Sequence, residues 1–203
     1  MEQGLSVYRV DGKLLRTLQP DVIITQTQCE VCAASPKDLD DAVRNWTGAN
    51  PRIISLEPNG LSDVWTDIQA VADALRATER GKKLIIELQA RMADIEARTS
   101  QIERRPRVAC IEWIDPLMAA GNWMPELVEK AGGENIFGEA GKHSPWVAWE
   151  SICNADPELF LILPCGYSIQ ESRRDMPALS RRPEWRGINA VKAGQVYLSL
   201  IHI

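Results

Sequence analysis

The feature that most constrains this chain is the stretch from Leu61 to Glu103, which holds no proline and a single glycine, Gly81. Apolar residues recur through it as Val64, Ile68, Val71, Ala72 and Leu75, then Leu84, Leu88, Met92 and Ile95. Recurrence every three or four residues places an apolar stripe along one face of a helix. Ser62 is expected to cap the first helix. Gly81 is expected to end it, with Lys82 opening a second.

On both sides of that stretch the grammar changes to strand–helix alternation. Leu14 to Leu18 reads as a helix end, stopped by Pro20, and Asp21 to Thr25 is a β-branched run expected as a buried strand. Ser35-Pro36 opens a helix reaching Trp46, and Arg52 to Leu56 is a second strand. Beyond Pro106 come a strand at Arg107 to Trp113, helices at Trp123 to Ala131 and Trp149 to Ala155, and a strand at Leu159 to Leu163. A helix over Ile169 to Leu179 and a last strand at Val196 to Leu198 follow. This order predicts an α/β protein with two lobes joined by a long helical segment. The expected divisions are 1–60 for a first lobe, 61–105 for connecting helices and 106–203 for a second lobe.

Charge and cysteine content exclude several classes of function. The net charge of −5 argues against a nucleic-acid partner, which calls for clustered Lys and Arg. No apolar run approaches the roughly 20 residues of a membrane span, so direct membrane insertion is not expected. Met1-Glu2-Gln3-Gly4 lacks the basic-then-apolar pattern of a signal peptide. Five scattered cysteines form no disulfide framework.

Candidate chemistry begins with Cys29-Glu30-Val31-Cys32. A structural zinc needs four ligands, and neither a second cysteine pair nor a suitably spaced histidine accompanies these two among His143 and His202. A redox dithiol would open a helix, and Pro36 puts the expected helix start past Cys32. A loop at the carboxyl end of a strand, where α/β sheets hold ligands, is the remaining reading. The tryptophans are the second signal: seven Trp against two Phe. Trp46 and Trp65 fall on helices and are expected in the core. Trp113 and Trp146 fall at a strand end and in a loop, where an indole offers flat contact area to a bulky ligand. Carboxylates at Glu112, Asp115, Glu126, Glu150 and Glu171 show no pairing by spacing for acid–base work. No G-x-S-x-G elbow or phosphate loop occurs, so the residues point to binding rather than catalysis.

Four stretches carry a likeness: VYRVD, LQPDVIITQTQCEVCA, IEWIDPLMAAGNWMPELVEKAGGENIF and SPWVAWESICNADPELFLILPCGY. Together they resemble the cobalamin-binding branch of the iron-siderophore/cobalamin substrate-binding proteins of ABC importers, from about Leu5 to Tyr197. The resemblance implies a class III periplasmic-binding-protein fold: two Rossmann-like lobes, a rigid connecting helix and a ligand cleft. It implies a non-enzymatic protein, likewise without a cofactor of its own, that hands cobalamin or another corrinoid to a permease. A monomer, in the periplasm or anchored on the outer face of the membrane, is expected.

Carried over residue by residue, the resemblance implies ligand contacts from Gln26, Gln28 and Cys29 in the first lobe. In the second it implies Trp113, Asp115, Pro116, Trp146, Cys165 and Tyr167. Glu150 matches the glutamate that docks on permease arginines. Lys13 stands near the first lobe's docking glutamate and carries the opposite charge. The family has a further strand–helix–strand before Gly4 and a final helix after Tyr197, so an incomplete first lobe and a truncated chain are expected. A ferric siderophore or heme carrier of the same fold is the alternative. A dithiol oxidoreductase using Cys29 and Cys32 is the alternative of another class. A base-off corrinoid enzyme would need D-x-H-x-x-G, and Gly141 stands where His143 would require the Asp.

Overall fold

The computed structural model describes residues 10–27 and 51–199. The helix expected from Ser35 to Trp46, together with Gln28, Cys29 and Cys32, lies outside the described residues. The chain divides into two compact units, Met1–Gln89 and Ala90–Ile203.

In the first unit, helix α1 (Gly12–Leu18) starts where the Asp11 carboxylate accepts the Lys13 and Leu14 amides, each at 3.0 Å. It stops at Gln19, in the left-handed region at φ 44°, just before Pro20. Strands β1 (Val22–Gln26) and β2 (Arg52–Leu56) pair in parallel, Val22 opposite Arg52 and Gln26 opposite Leu56. Strand β2 has its expected bounds and β1 lies one residue beyond Asp21–Thr25, but β1 is not the buried strand expected, for Ile24 is exposed and no position of it is fully buried.

Helix α2 (Leu61–Ala74) begins one residue before its expected cap. Gly60 is the N-cap, and the Asp63 carboxylate reaches back to the amides of Asn59 and Gly60, each at 2.9 Å. Ser62 is therefore not the cap. The break after α2 falls at Leu75–Ala77, where Arg76 takes φ 56°, and helix α3 runs from Thr78 to Thr99. Gly81 does not end a helix; it sits buried in the second turn of α3. A Cβ there would collide with the Cβ of Ala72. The glycine serves close approach of α2 and α3 rather than a turn.

The second unit is built on one mixed sheet. Strand β3 (Arg107–Trp113) pairs in parallel with β6 (Leu159–Ile162), and β6 with β7 (Val196–Leu198). Two short strands also pair with β3: β4 (Met118–Ala119), antiparallel near its carboxyl end, and β5 (Glu134–Asn135), parallel near its amino end. Between them run helices α4 (Met124–Lys130), α5 (Trp149–Ala155), α6 (Ile169–Asp175), α7 (Pro177–Ser180) and α8 (Asn189–Lys192), with a 3-10 turn at Pro183–Gly187.

Alternation along the strands splits the core into two layers. Ala109 and Ile111 of β3, with Phe160 and Ile162 of β6, join Ile152, Leu179, Trp185 and Ile188 on one face. Val108 and Cys110 join Ala120, Val128 and Leu163 on the other. Apolar cover on both faces explains why these strands read as nearly continuous hydrophobic runs. On the first face Phe160 stacks on Trp185 at 5.4 Å, and Trp185 on Trp149 at 6.2 Å.

The helix expected over Ile169–Leu179 is two helices. A reciprocal cap opens α6, Glu171 N to Ser168 Oγ at 3.2 Å and Ser168 N to Glu171 Oε2 at 2.7 Å. Pro177 cannot donate to the ladder, so α6 ends at Asp175 and α7 starts at the proline.

Candidate functional site

The carboxyl ends of β3 and β6 lie side by side, which in a parallel α/β sheet is where ligands bind. Trp113 closes β3 and half-buries its ring. Its indole N–H donates to the Asp115 carbonyl at 3.1 Å, and its ring meets Tyr167 edge-on, centroids 5.2 Å apart at 65°. Tyr167 sits in the turn after β6, below the start of α6. Between them opens a groove of about 400 Å³, with Ile114, Pro164, Pro177 and Ala178 as apolar walls and Asp115, Arg174 and Asp175 as polar rim. The Asp175 carboxylate is held by Arg174 Nε at 3.1 Å. Burial, followed by the neighbouring Asp175, pushes the Tyr167 phenol above its ordinary value of 10.0.

Register brings a second aromatic to this end. Met118 stands opposite Trp113 on one side and bridges to Trp146 on the other. Backbone bonds Ala119 N to Pro145 O and Val147 N to Leu117 O, each 3.0 Å, make residues 145–147 a further antiparallel partner of β4. The backbones of Trp113, Met118 and Trp146 thus stand in a row across two strand spacings, about 10 Å, with the β3–β4 register shifted between Ile111 and Trp113. Trp146 is 66% exposed.

The loop bearing Trp146 is pinned from below. Buried Ser144 accepts the Gly121 amide at 3.0 Å and donates to Glu112 Oε2 at 2.7 Å. A side chain at Gly121 would meet the Lys142 carbonyl at 2.5 Å, so the close approach needs glycine. Glu112 therefore acts here as an anchor for a loop.

Of the residues expected at a site, Trp113, Asp115 and Tyr167 line one groove, and Trp146 joins Trp113 through Met118. Pro116 is exposed beside Asp115, and Cys165 is half-buried in the turn after β6. Gln26 ends β1 in the first unit, half-buried. Glu150 is exposed in the first turn of α5. Trp149, one residue earlier, is tied into the aromatic stack, with its N–H on Glu184 at 3.0 Å and Arg182 over its ring at 4.9 Å. Met118, Arg174 and Asp175 escaped the sequence reading. A two-residue strand has too short a period to show, and the proline that ends α6 was the one available signal for the last two. Among the described residues no group of three or more His, Cys, Asp or Glu is placed to hold a metal, and no helix is long and apolar enough to cross a membrane.

The profile of the periplasmic binding protein family matches residues 14–199. The chain belongs to that family. The high-affinity heme uptake system protein IsdE of Staphylococcus aureus is 23% identical over 142 residues, 68% of this chain and 49% of that protein. The chain thus spans about half the length of this curated relative. The crystal structure of S. aureus IsdE complexed with heme superposes with a TM-score of 0.73 at 17% identity, covering 94% of this chain and 71% of that one. The periplasmic vitamin B12 binding protein BtuF of Vibrio cholerae gives 0.63 at 20% identity, covering 98% and 72%. At these identities the likeness establishes the fold, that of the class III periplasmic binding proteins.

Proposed function

We propose that this family member is the substrate-capturing component of an ABC importer and that its ligand is cobalamin or a related corrinoid. The observation that carries this reading is the row Trp113–Met118–Trp146, with its outer indole 66% exposed beside a polar-rimmed groove. A solvent-facing indole costs hydration unless a ligand covers it. A corrin is broad and apolar at its face and edged with amides, which suits indole and thioether below it and Asp115, Cys165 and Tyr167 beside it. Gln26, Gln28 and Cys29 are the proposed contacts from the first unit, and Pro116 shapes the rim.

On this reading the protein acts without catalysis or a resident cofactor, as a monomer in the periplasm or on the outer face of the membrane. Glu150 is the proposed docking group for a permease arginine; its exposure at a helix start supports this. A second reading, heme, has the likeness to IsdE in its favour.

Fluorescence and absorbance titrations with cyanocobalamin, hemin and a ferric hydroxamate separate these readings. Stoichiometric quenching by cyanocobalamin, weakened about tenfold or more in Trp146→Ala, is expected. Saturation by hemin or the hydroxamate without a response to cyanocobalamin would replace the corrinoid. Glu150→Arg should abolish uptake in a transport assay while leaving ligand affinity unchanged.

A further inference from the structure

The loop that carries Trp146 is tied to the second unit at its start, its middle and its end. At the start, the Asn122 amide donates to the Lys142 carbonyl at 2.6 Å and the Gly141 amide to the Asn122 carbonyl at 3.0 Å. At the end, the Ala119 amide donates to the Pro145 carbonyl and the Val147 amide to the Leu117 carbonyl, each at 3.0 Å. These are backbone bonds, open to almost any sequence. The middle tie depends on side chains. Ser144 is 5% exposed, and its hydroxyl is used twice, accepting from the Gly121 amide at 3.0 Å and donating to Glu112 Oε2 at 2.7 Å.

This chain of bonds joins the three segments of the aromatic face. Glu112 precedes Trp113 on β3, Gly121 follows the strand that holds Met118, and Ser144 lies two residues before Trp146. The approach is tight: a Cβ on Gly121 would stand 2.8 Å from the Ser144 amide nitrogen and 2.9 Å from the His143 carbonyl carbon. A shifted loop would strand the buried Gly121 amide without its acceptor, so the bonds favour one arrangement. Trp146, 66% exposed, has little packing of its own to hold it and takes its place from the loop beneath. We propose that Glu112 and Ser144 are positioning residues for ligand capture, holding the Trp146 segment against β4 before the ligand arrives. Capture then does not have to order the loop. A wall ordered only part of the time would accept ligand for that fraction alone, which lowers the association rate and leaves dissociation unchanged.

The inference rests on the reading of Trp146 as a ligand contact, and a measurement without ligand separates the two. Amide hydrogen exchange on the unliganded protein reads the loop directly. In Ser144→Ala the Ala119, Gly121 and Val147 amides should exchange about threefold to tenfold faster, the range of one net hydrogen bond. The Leu163 amide, bonded to the Ile111 carbonyl at 2.8 Å, should keep its rate. Glu112→Ala should act like Ser144→Ala, whereas Glu112→Gln, which retains a carbonyl acceptor for the hydroxyl, should stay near wild type. In stopped-flow binding of cyanocobalamin, or of hemin if hemin alone saturates, Ser144→Ala should slow association by a similar factor with dissociation unchanged. That effect should vanish in a Trp146→Ala background. Unchanged exchange at the three amides, or equal acceleration at Leu163, would overturn the proposal. So would a Ser144→Ala loss of affinity that persists without Trp146. If neither cyanocobalamin nor hemin binds, the ligand assignment fails, and the exchange rates alone decide whether Glu112 and Ser144 hold the loop.

Discussion

Strands β1 and β2 of the first unit and β3 and β6 of the second are built alike, from parallel apolar runs rich in isoleucine, leucine and valine. Yet Ile24 and Ile53 are 45% and 38% exposed, whereas Ile111 and Ile162 are 1% and 0%. Among the described residues no position of β1 or β2 is fully buried. In the second unit each face of the sheet meets its own apolar layer, Ile152, Leu179 and Trp185 on one side and Val128 and Ala120 on the other. Strand formation follows from local pattern; burial follows only from what packs on the faces.

The sharpest way to break this comparison is truncation of matched residues. Phe160→Ala should cost about 3–5 kcal/mol and Ile162→Ala about 2–5 kcal/mol in urea denaturation. Ile53→Ala should cost less than about 1 kcal/mol, and equal costs in the two units would refute the contrast.

The first unit has one tight point, where α2 meets α3. Gly81→Val should destabilise by about 1–3 kcal/mol through overpacking, and Ala72→Gly should recover part of that in the double variant. Additive losses would mean that the two positions do not meet.

A smaller effect concerns the core of the second unit at alkaline pH. Burial pushes the Cys110 thiol from 9.0 up to about 12. The folded state then keeps a proton that the unfolded chain releases near 9. Stability should therefore fall as pH rises from about 9 toward 12, and Cys110→Ala should flatten that slope in thermal melts.

The smallest effects are at acid pH, one in each unit. The amides of Gly60 and Asn59 hold Asp63 below the ordinary carboxylate range, and the Arg107 amide does the same for Glu158. A lowered folded value means that stabilisation is present above the unfolded pKa and is lost as pH falls through the folded one. Asp63→Asn and Glu158→Gln should each shallow the acid limb of a melting-temperature profile. Both are half-buried, and added salt should reduce the charge-pair part of the Glu158 effect, to which Arg104 and Arg107 contribute.

Much of the architecture was legible beforehand. The strand at Arg107–Trp113 and the helix at Trp149–Ala155 stand at their expected bounds, because β-branched runs and capped periodic segments are local signals. The misreadings were of residues with two local meanings. Gly81 could end a helix or allow two helices to touch, and only the position of Ala72 distinguishes these. Ser62 could cap a helix, but Asp63 one residue later reached the free amides. At the site, Trp113 and Tyr167 were visible as strand-end aromatics. Their edge contact and the groove walled by Pro177 were not, since the partners lie far apart along the chain.

By itself the sequence determined the longer strands and helices, the kinship with periplasmic binding proteins and the candidacy of Trp113, Trp146 and Tyr167, because periodicity, turn chemistry and motif are properties of neighbouring residues. Only the tertiary structure decided that Met118 pairs with both Trp113 and Trp146, that Ser144 ties the Trp146 loop to Glu112, and that Asp175 and Tyr167 line one groove. Those are contacts between distant segments, and strand register and the packing of α6 bring them about.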